Sequence, residues 1–183
     1  MIRPRNTISL FLLLALAAPA AAQGFVDPLR RALPAPQYVR RAAANDLYQR
    51  QAAQLILRSS RNPAIRKLAQ DLIVDHNRAA ADLRAAAAKA GIKIDAALST
   101  TEFKQLVGRL TLATADARDM LFLTQERAVH QRALAMHQDY ASGGEDPGLK
   151  EAAGRIAMIE QTHLDMIDTA AMQSPVQPAA LQP

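Results

Sequence analysis

The sequence predicts an all-α protein whose ordered part is one four-helix bundle. Three observations predict it. Half of the 183 residues are hydrophobic, yet aromatics make up 4% and Trp is absent, so the apolar content is largely alanine and aliphatic residues. That composition favours closely packed helices over strands. Four long stretches repeat apolar residues at three- and four-residue spacing, the period of a helix with one buried face. Asn-Pro, Asp-Pro and glycine signals separate those stretches where helices start and stop. A chain of this length is one domain's worth and can bury a real core.

The elements follow in order. Arg3 and Arg5 precede a continuous apolar run from Ile8 to Ala18, Pro19 breaks it, and Ala20-Ala21-Ala22 offers small residues to a signal peptidase. Residues 1–22 are therefore expected to be a cleaved signal peptide, with the cut after Ala22 and delivery to the periplasm. The run is about half the roughly 20 residues that a membrane-spanning helix needs. No later stretch approaches that length, so no transmembrane segment is expected after cleavage. Residues 23–35, basic and carrying Pro28 and Pro34, read as a tether.

The first long helix is expected from about Pro36 to Ser60. Asn62-Pro63 then supplies an N-cap and a proline at the first helical position, where its missing N–H costs nothing. The second helix runs to Ala90, and Gly91 stops it. Ser99-Thr100-Thr101-Glu102 reads as a capping box that opens a short helix to about Leu110. The third long helix starts near Thr114 and ends at Ser142-Gly143-Gly144; Asp146-Pro147 opens the fourth, which runs to about Met172. Residues 36–173 thus form the bundle domain, and the proline-rich residues 174–183 are expected to be disordered. Short turns join the first and last helix pairs, whereas roughly 23 residues link the second long helix to the third. A link of that length permits a crossover along the bundle, which is the ferritin-like connectivity.

Several function classes are excluded. The formal charge of +5 falls to about +3 once Arg3 and Arg5 are removed, and no basic run carries interleaved aromatics, so nucleic acid is not an expected partner. With no cysteine there is no disulfide framework, no thiol chemistry and no lipid-modified N-terminus. No Gly-x-Ser-x-Gly motif and no glycine-rich phosphate loop is present.

The inner faces carry the chemistry. On the second helix His76 interrupts a stripe of Ile65, Leu68, Ala69, Leu72, Ala79 and Leu83, with Asp75 beside it. The third long helix places Asp119, Glu126, His130 and His137 on the face of Phe122, Leu123, Val129, Ala133 and Tyr140. The fourth sets Glu160 and His163 among Leu149, Ile156 and Ile167; the first has Gln49 between Ala42, Ala53 and Ile56. All four histidines therefore point inward, from three helices. Bundle cores build metal sites from carboxylates and from Glu-x-x-His, the spacing of Glu160 and His163. Imidazole with carboxylate suits Fe, Zn, Mn or Cu. Only one helix carries that spacing, short of a full di-iron pattern. A hydrogen-bonded polar network that sets helix register is the other reading of the same residues.

The chain resembles the bacterial exported family known as domain of unknown function 4142. The likeness runs from about Gln37 to Ala171. It rests on Tyr38-Val39-x-x-Ala42-Ala43-x-x-Asp46-Leu47-Tyr48, on Asn62-Pro63-x-Ile65-Arg66-x-Leu68-Ala69, and on Leu72-Ile73-x-Asp75-His76. Asp119, His130-Gln131, Ala133-Leu134, Tyr140-Ala141-Ser142-Gly143-Gly144, Pro147-x-Leu149-Lys150 and His163-Leu164 complete it. The resemblance implies a ferritin-like bundle behind a signal peptide. It also implies Glu where this chain has Gln49, Gly-x-x-Phe-Asp where it has Ala115 to Asp119, and Tyr where it has Phe122.

The expectation is an exported, non-enzymatic envelope protein that binds a ligand or partner; a transition metal is one such ligand, and it would sit on His76, His130 and His163, completed by Glu160 or Asp75. Partners would be that metal, a second copy of the chain or another envelope protein. The competing expectations are a metal-dependent oxidase or peroxide-consuming enzyme, against which Gln49 argues, and a metal-independent holdase or structural protein.

Overall fold

The computed structural model of the protein describes residues 32–94 and 99–174. The expected signal peptide, most of the tether, and all of the proline-rich tail but Ser174 lie outside the described residues. Five helices follow in order: α1 (Ala35–Ser59), α2 (Pro63–Lys89), α3 (Thr101–Leu112), α4 (Ala115–Gly143) and α5 (Pro147–Met172). None of them is long and apolar enough to cross a membrane.

Local chemistry sets the helix ends. Asn62 accepts from the backbone N–H groups of Ala64 and Ile65, with Pro63 at the first position of α2. Asp146 accepts from Leu149 N–H at 2.8 Å and opens α5. Gly91, with φ +70°, takes the left-handed turn that ends α2 without the clash a Cβ would bring.

Three details differ from the sequence expectation. The cap of α3 is Thr100, not Ser99: the Thr100 hydroxyl accepts from Phe103 N–H at 3.1 Å. With that register Phe103 stacks on Tyr48 of α1, ring centroids 5.0 Å apart, and Glu102 meets Arg132 of α4 at 2.9 Å. The helix also continues to Leu112, and Arg118 donates to the carbonyls of Leu110 and Ala113 just beyond it. At the other terminus Ser174, the first residue of the expected tail, is buried and accepts from Asn62 Nδ2 at 3.2 Å.

The four long helices form a bundle of ferritin-like connectivity. One end gathers the C-terminal half of α1, the start of α2, the start of α4 and the end of α5 around Ile56, Ile65, Leu72, Phe122 and Ile167. The opposite end gathers the start of α1, the end of α2, the end of α4 and the start of α5 around Tyr38, Leu83, Tyr140, Leu149 and Ile156. α2 and α4 therefore run in the same direction, and the chain between them must travel the length of the bundle. It does so through α3, which packs across α1 and α4. The two apolar clusters leave a polar layer between them at mid-height. Into it point Asn45, Asp46 and Gln49 of α1, His76 of α2, Glu126, His130 and His137 of α4, and Glu160 and His163 of α5, all of them buried.

Candidate metal centre

Helical spacing puts these side chains in one layer. His76 follows Leu72 by four residues and precedes Ala79 by three, so it occupies one position of the buried stripe of α2. Glu160 and His163 sit in the same way between Ile156 and Ile167 on α5. Glu126 and His130 are one turn apart on α4.

Three imidazoles and one carboxylate converge. His76, His130, His163 and Glu160 each offer a ligand atom, and those atoms lie within 4.8 Å of one another. The three rings form a triangle with centroid separations of 5.0, 5.2 and 5.6 Å. Each ring is held from outside the cluster. His130 Nδ1 donates to the Glu126 backbone carbonyl at 2.8 Å, His163 Nε2 to Asp75 at 3.2 Å, and His76 Nδ1 to Asp46 at 2.9 Å. A neutral imidazole has one N–H; in the tautomers in which these outer nitrogens donate, His130 Nε2, His163 Nδ1 and His76 Nε2 are the lone-pair nitrogens that face the cluster. His130 Nε2 and His163 Nδ1 face each other at 3.2 Å, and His130 Nε2 is 3.7 Å from Glu160 Oε2. Among the described residues, neither His76 Nε2 nor Glu160 Oε2 has a hydrogen-bond partner.

Burial dominates the electrostatics. Desolvation pushes His76 and His130 well below the ordinary imidazole value, and lowers His163 too. The same cause raises the Glu126 and Glu160 carboxyls well above the usual range and brings Asp46 to about 7. Without a cation the layer thus favours neutral acids and neutral imidazoles. A divalent cation among the ligand atoms would reverse that preference for Glu160 and release a proton.

The residues expected from sequence fall into two positions. His76, His130, His163 and Glu160 line the cluster, whereas Asp75, 32% exposed, stands behind His163 as a hydrogen-bond acceptor. The fourth histidine lies alongside rather than inside: His137 Nδ1 accepts from the Tyr38 hydroxyl at 2.9 Å, and its Nε2 is 3.9 Å from Glu160 Oε1. Gln49 packs its amide 3.3 Å from His130 Nδ1. Asp119 is elsewhere, bound to Ser60 at 2.8 Å. Two residues had not been singled out as site candidates, Asp46 and Asn45. Asp46 falls on the same inner face as Ala42, Gln49 and Ala53, at four- and three-residue spacing, so the periodicity pointed to it. Asn45 donates to Glu160 Oε1 at 3.4 Å and so orients that carboxylate.

Fold and cluster together define a class: a ferritin-like helical bundle with a buried layer of histidines and carboxylates. The sequence model described as domain of unknown function (DUF4142) matches residues 18–170, and the chain belongs to that family. Its fold is similar to the crystal structure of a DUF305 fragment from Deinococcus radiodurans, with a TM-score of 0.68. That match covers 79% of this chain and 99% of the other at 17% identity, so it speaks to the fold alone. No curated protein matches the chain.

Proposed function

We propose that this chain is an exported, non-enzymatic envelope protein that binds one transition-metal ion at the middle of its bundle, on His76, His130, His163 and Glu160. The observation that carries the reading is the convergence of three imidazoles and one carboxylate, with ligand atoms within 4.8 Å of one another, in a fully buried place. His76 Nε2 and Glu160 Oε2, buried without a hydrogen-bond partner among the described residues, are electron-pair donors that a cation would satisfy. The spacing supports the same reading: tetrahedral ligands at about 2.0–2.1 Å from a metal lie about 3.3 Å apart. Outer partners on every histidine are the arrangement that orients metal-binding imidazoles.

The donor set is nitrogen and oxygen without thiolate, which suits Zn, Fe, Mn or Cu. Four protein ligands in a dry layer favour a closed site, and this supports binding rather than turnover. The protein's own contribution is to hold the three ring tautomers through Glu126, Asp46 and Asp75, and to aim Glu160 through Asn45. Elemental analysis of the chain from Gln23 onward, purified without chelators or a histidine tag, tests the site. About one metal per chain is expected, and none in the triple variant His76→Ala, His130→Ala, His163→Ala. A folded wild-type chain that takes up no Fe(II), Zn(II), Mn(II) or Cu(II) on titration would leave the layer as a structural network.

Export is inferred from residues 1–22. Gln23 as the first residue of the chain recovered from the periplasmic fraction is the expected result. Full-length chain confined to the cytoplasm would refute it.

A further inference from the structure

A pocket of about 410 Å³ opens on the side of the bundle where α3 crosses α1 and α4. Phe103, Val129, Ala133 and Met136 give it apolar walls, and Arg41 and Arg132 stand at its edge. Arg132 is held by Glu102 at 2.9 Å, whereas Arg41 makes no ion pair among the described residues. Asn45 also lines the pocket, is 5% exposed, and donates its amide N–H to Glu160 Oε1. The other oxygen of Glu160 faces the histidine cluster, so an occupant of the pocket is one side chain away from it.

The size is that of small-molecule sites, about 300–1,000 Å³. A guanidinium such as that of Arg41, with no ion pair among the described residues, can pair with a carboxylate through a planar fork of N–H groups. The walls behind it would cover a hydrocarbon body. We propose that this pocket binds a small organic carboxylate, its anionic end at Arg41 and its apolar body against Val129, Ala133 and Met136. Occupancy is transmitted to Glu160 through Asn45. Binding stands on the pocket alone; the coupling rests on the metal reading above.

The test offers butyrate, neutral butyramide and inorganic phosphate to the chain from Gln23 onward, metal-free and loaded with Co(II). Ligand-observed NMR reads binding, and the visible spectrum of Co(II) reads coupling. Butyrate should bind saturably, with butyramide and phosphate at least about tenfold weaker, because one lacks the charge and the other the apolar body. Arg41→Gln, a change at an exposed position, should weaken butyrate about tenfold, and Ala133→Phe should fill the pocket and abolish binding. Butyrate should shift the Co(II) spectrum of the wild type and not that of Asn45→Ala. No saturable butyrate binding, or binding unchanged in Arg41→Gln, overturns the site. Phosphate bound as tightly as butyrate overturns the ligand class. An unchanged Co(II) spectrum with butyrate bound overturns the coupling. A chain that takes no Co(II) overturns the coupling, while the metal titrations above decide the metal reading and the metal-free measurement still decides the pocket.

Discussion

Asp46 and Asp75 each hold the outer nitrogen of a cluster histidine, but in different surroundings. Asp46 is 3% exposed and sits in the polar layer, whereas the Asp75 side chain is 32% exposed. Charge–charge support is stronger where water is excluded. Asp46→Asn should therefore lower metal affinity by about 10–100-fold. Asp75→Asn should cost less than Asp46→Asn, and competition with a chromophoric chelator measures both. Equal losses would show that burial does not set the strength of these supports. The histidines also set a pH dependence in the metal-free chain. Desolvation lowers His137 from 6.5 to about 3, so its contribution to stability is complete above pH 6.5 and is lost as pH falls through 3. His76 and His130 act in the same sense. Asp46 acts oppositely: raised from 3.8 to about 7, it contributes most below pH 3.8 and loses that as pH rises through 7. Each proton taken up only on unfolding steepens the loss by about 1.4 kcal/mol per pH unit. In denaturant titrations from pH 6.5 to 4, His137→Gln should lose stability less steeply than wild type. Parallel slopes would mean that His137 takes up its proton in the folded chain.

At the scale of elements, two glycines should respond in opposite directions to the same substitution. A Cβ on Gly144 would stand 2.6 Å from both the Tyr140 carbonyl oxygen and the Tyr140 ring, at the turn between α4 and α5. Gly144→Ala must push that turn apart and should destabilise by about 1–3 kcal/mol. Gly108 lies inside α3, and a Cβ there would meet nothing within 4 Å. Gly108→Ala should stabilise by about 0.5–1 kcal/mol, the difference in helix propensity. Thermal unfolding of the two variants beside wild type settles the pair, and a stabilising Gly144→Ala would contradict the turn geometry.

At the scale of the molecule, the crossover is a geometric necessity. α2 has 27 residues and, at 1.5 Å per residue, is about 40 Å long. A six-residue linker reaches about 21 Å at most and cannot join the end of α2 to the start of a parallel α4. Replacing residues 90–114 by such a linker should abolish the cooperative unfolding transition. A folded, monomeric product would instead require α4 to have reversed direction. A metal in the cluster would tie the molecule together in a second way, because the four candidate ligands come from α2, α4 and α5. Chelation should lower the stability of loaded protein by about 2.7 kcal/mol when free metal had stood at a hundred times Kd.

Much of this was legible in the residues themselves, because helix period and helix ends are local properties. The Asn62-Pro63 and Asp146-Pro147 caps, the Gly91 stop and the inward direction of all four histidines each depend on a few neighbours along one helix. The shift of the α3 cap from Ser99 to Thr100 was not legible, since two adjacent hydroxyl residues can each cap. The Thr100 cap comes with Phe103 stacked on Tyr48, a contact between residues far apart in sequence. The sequence reading left Asp75 and Glu160 as alternatives to complete the histidine set. Yet helix period separates them: Glu160 stands three residues before His163 on the same buried face, whereas Asp75 is adjacent to His76, turned about 100° from it and partly in water. Sequence alone thus determined the helices, their order and the chemistry available to the core. Tertiary structure decided the heights at which those side chains meet, because helix periodicity gives each residue a direction but not its distance from a residue on another helix.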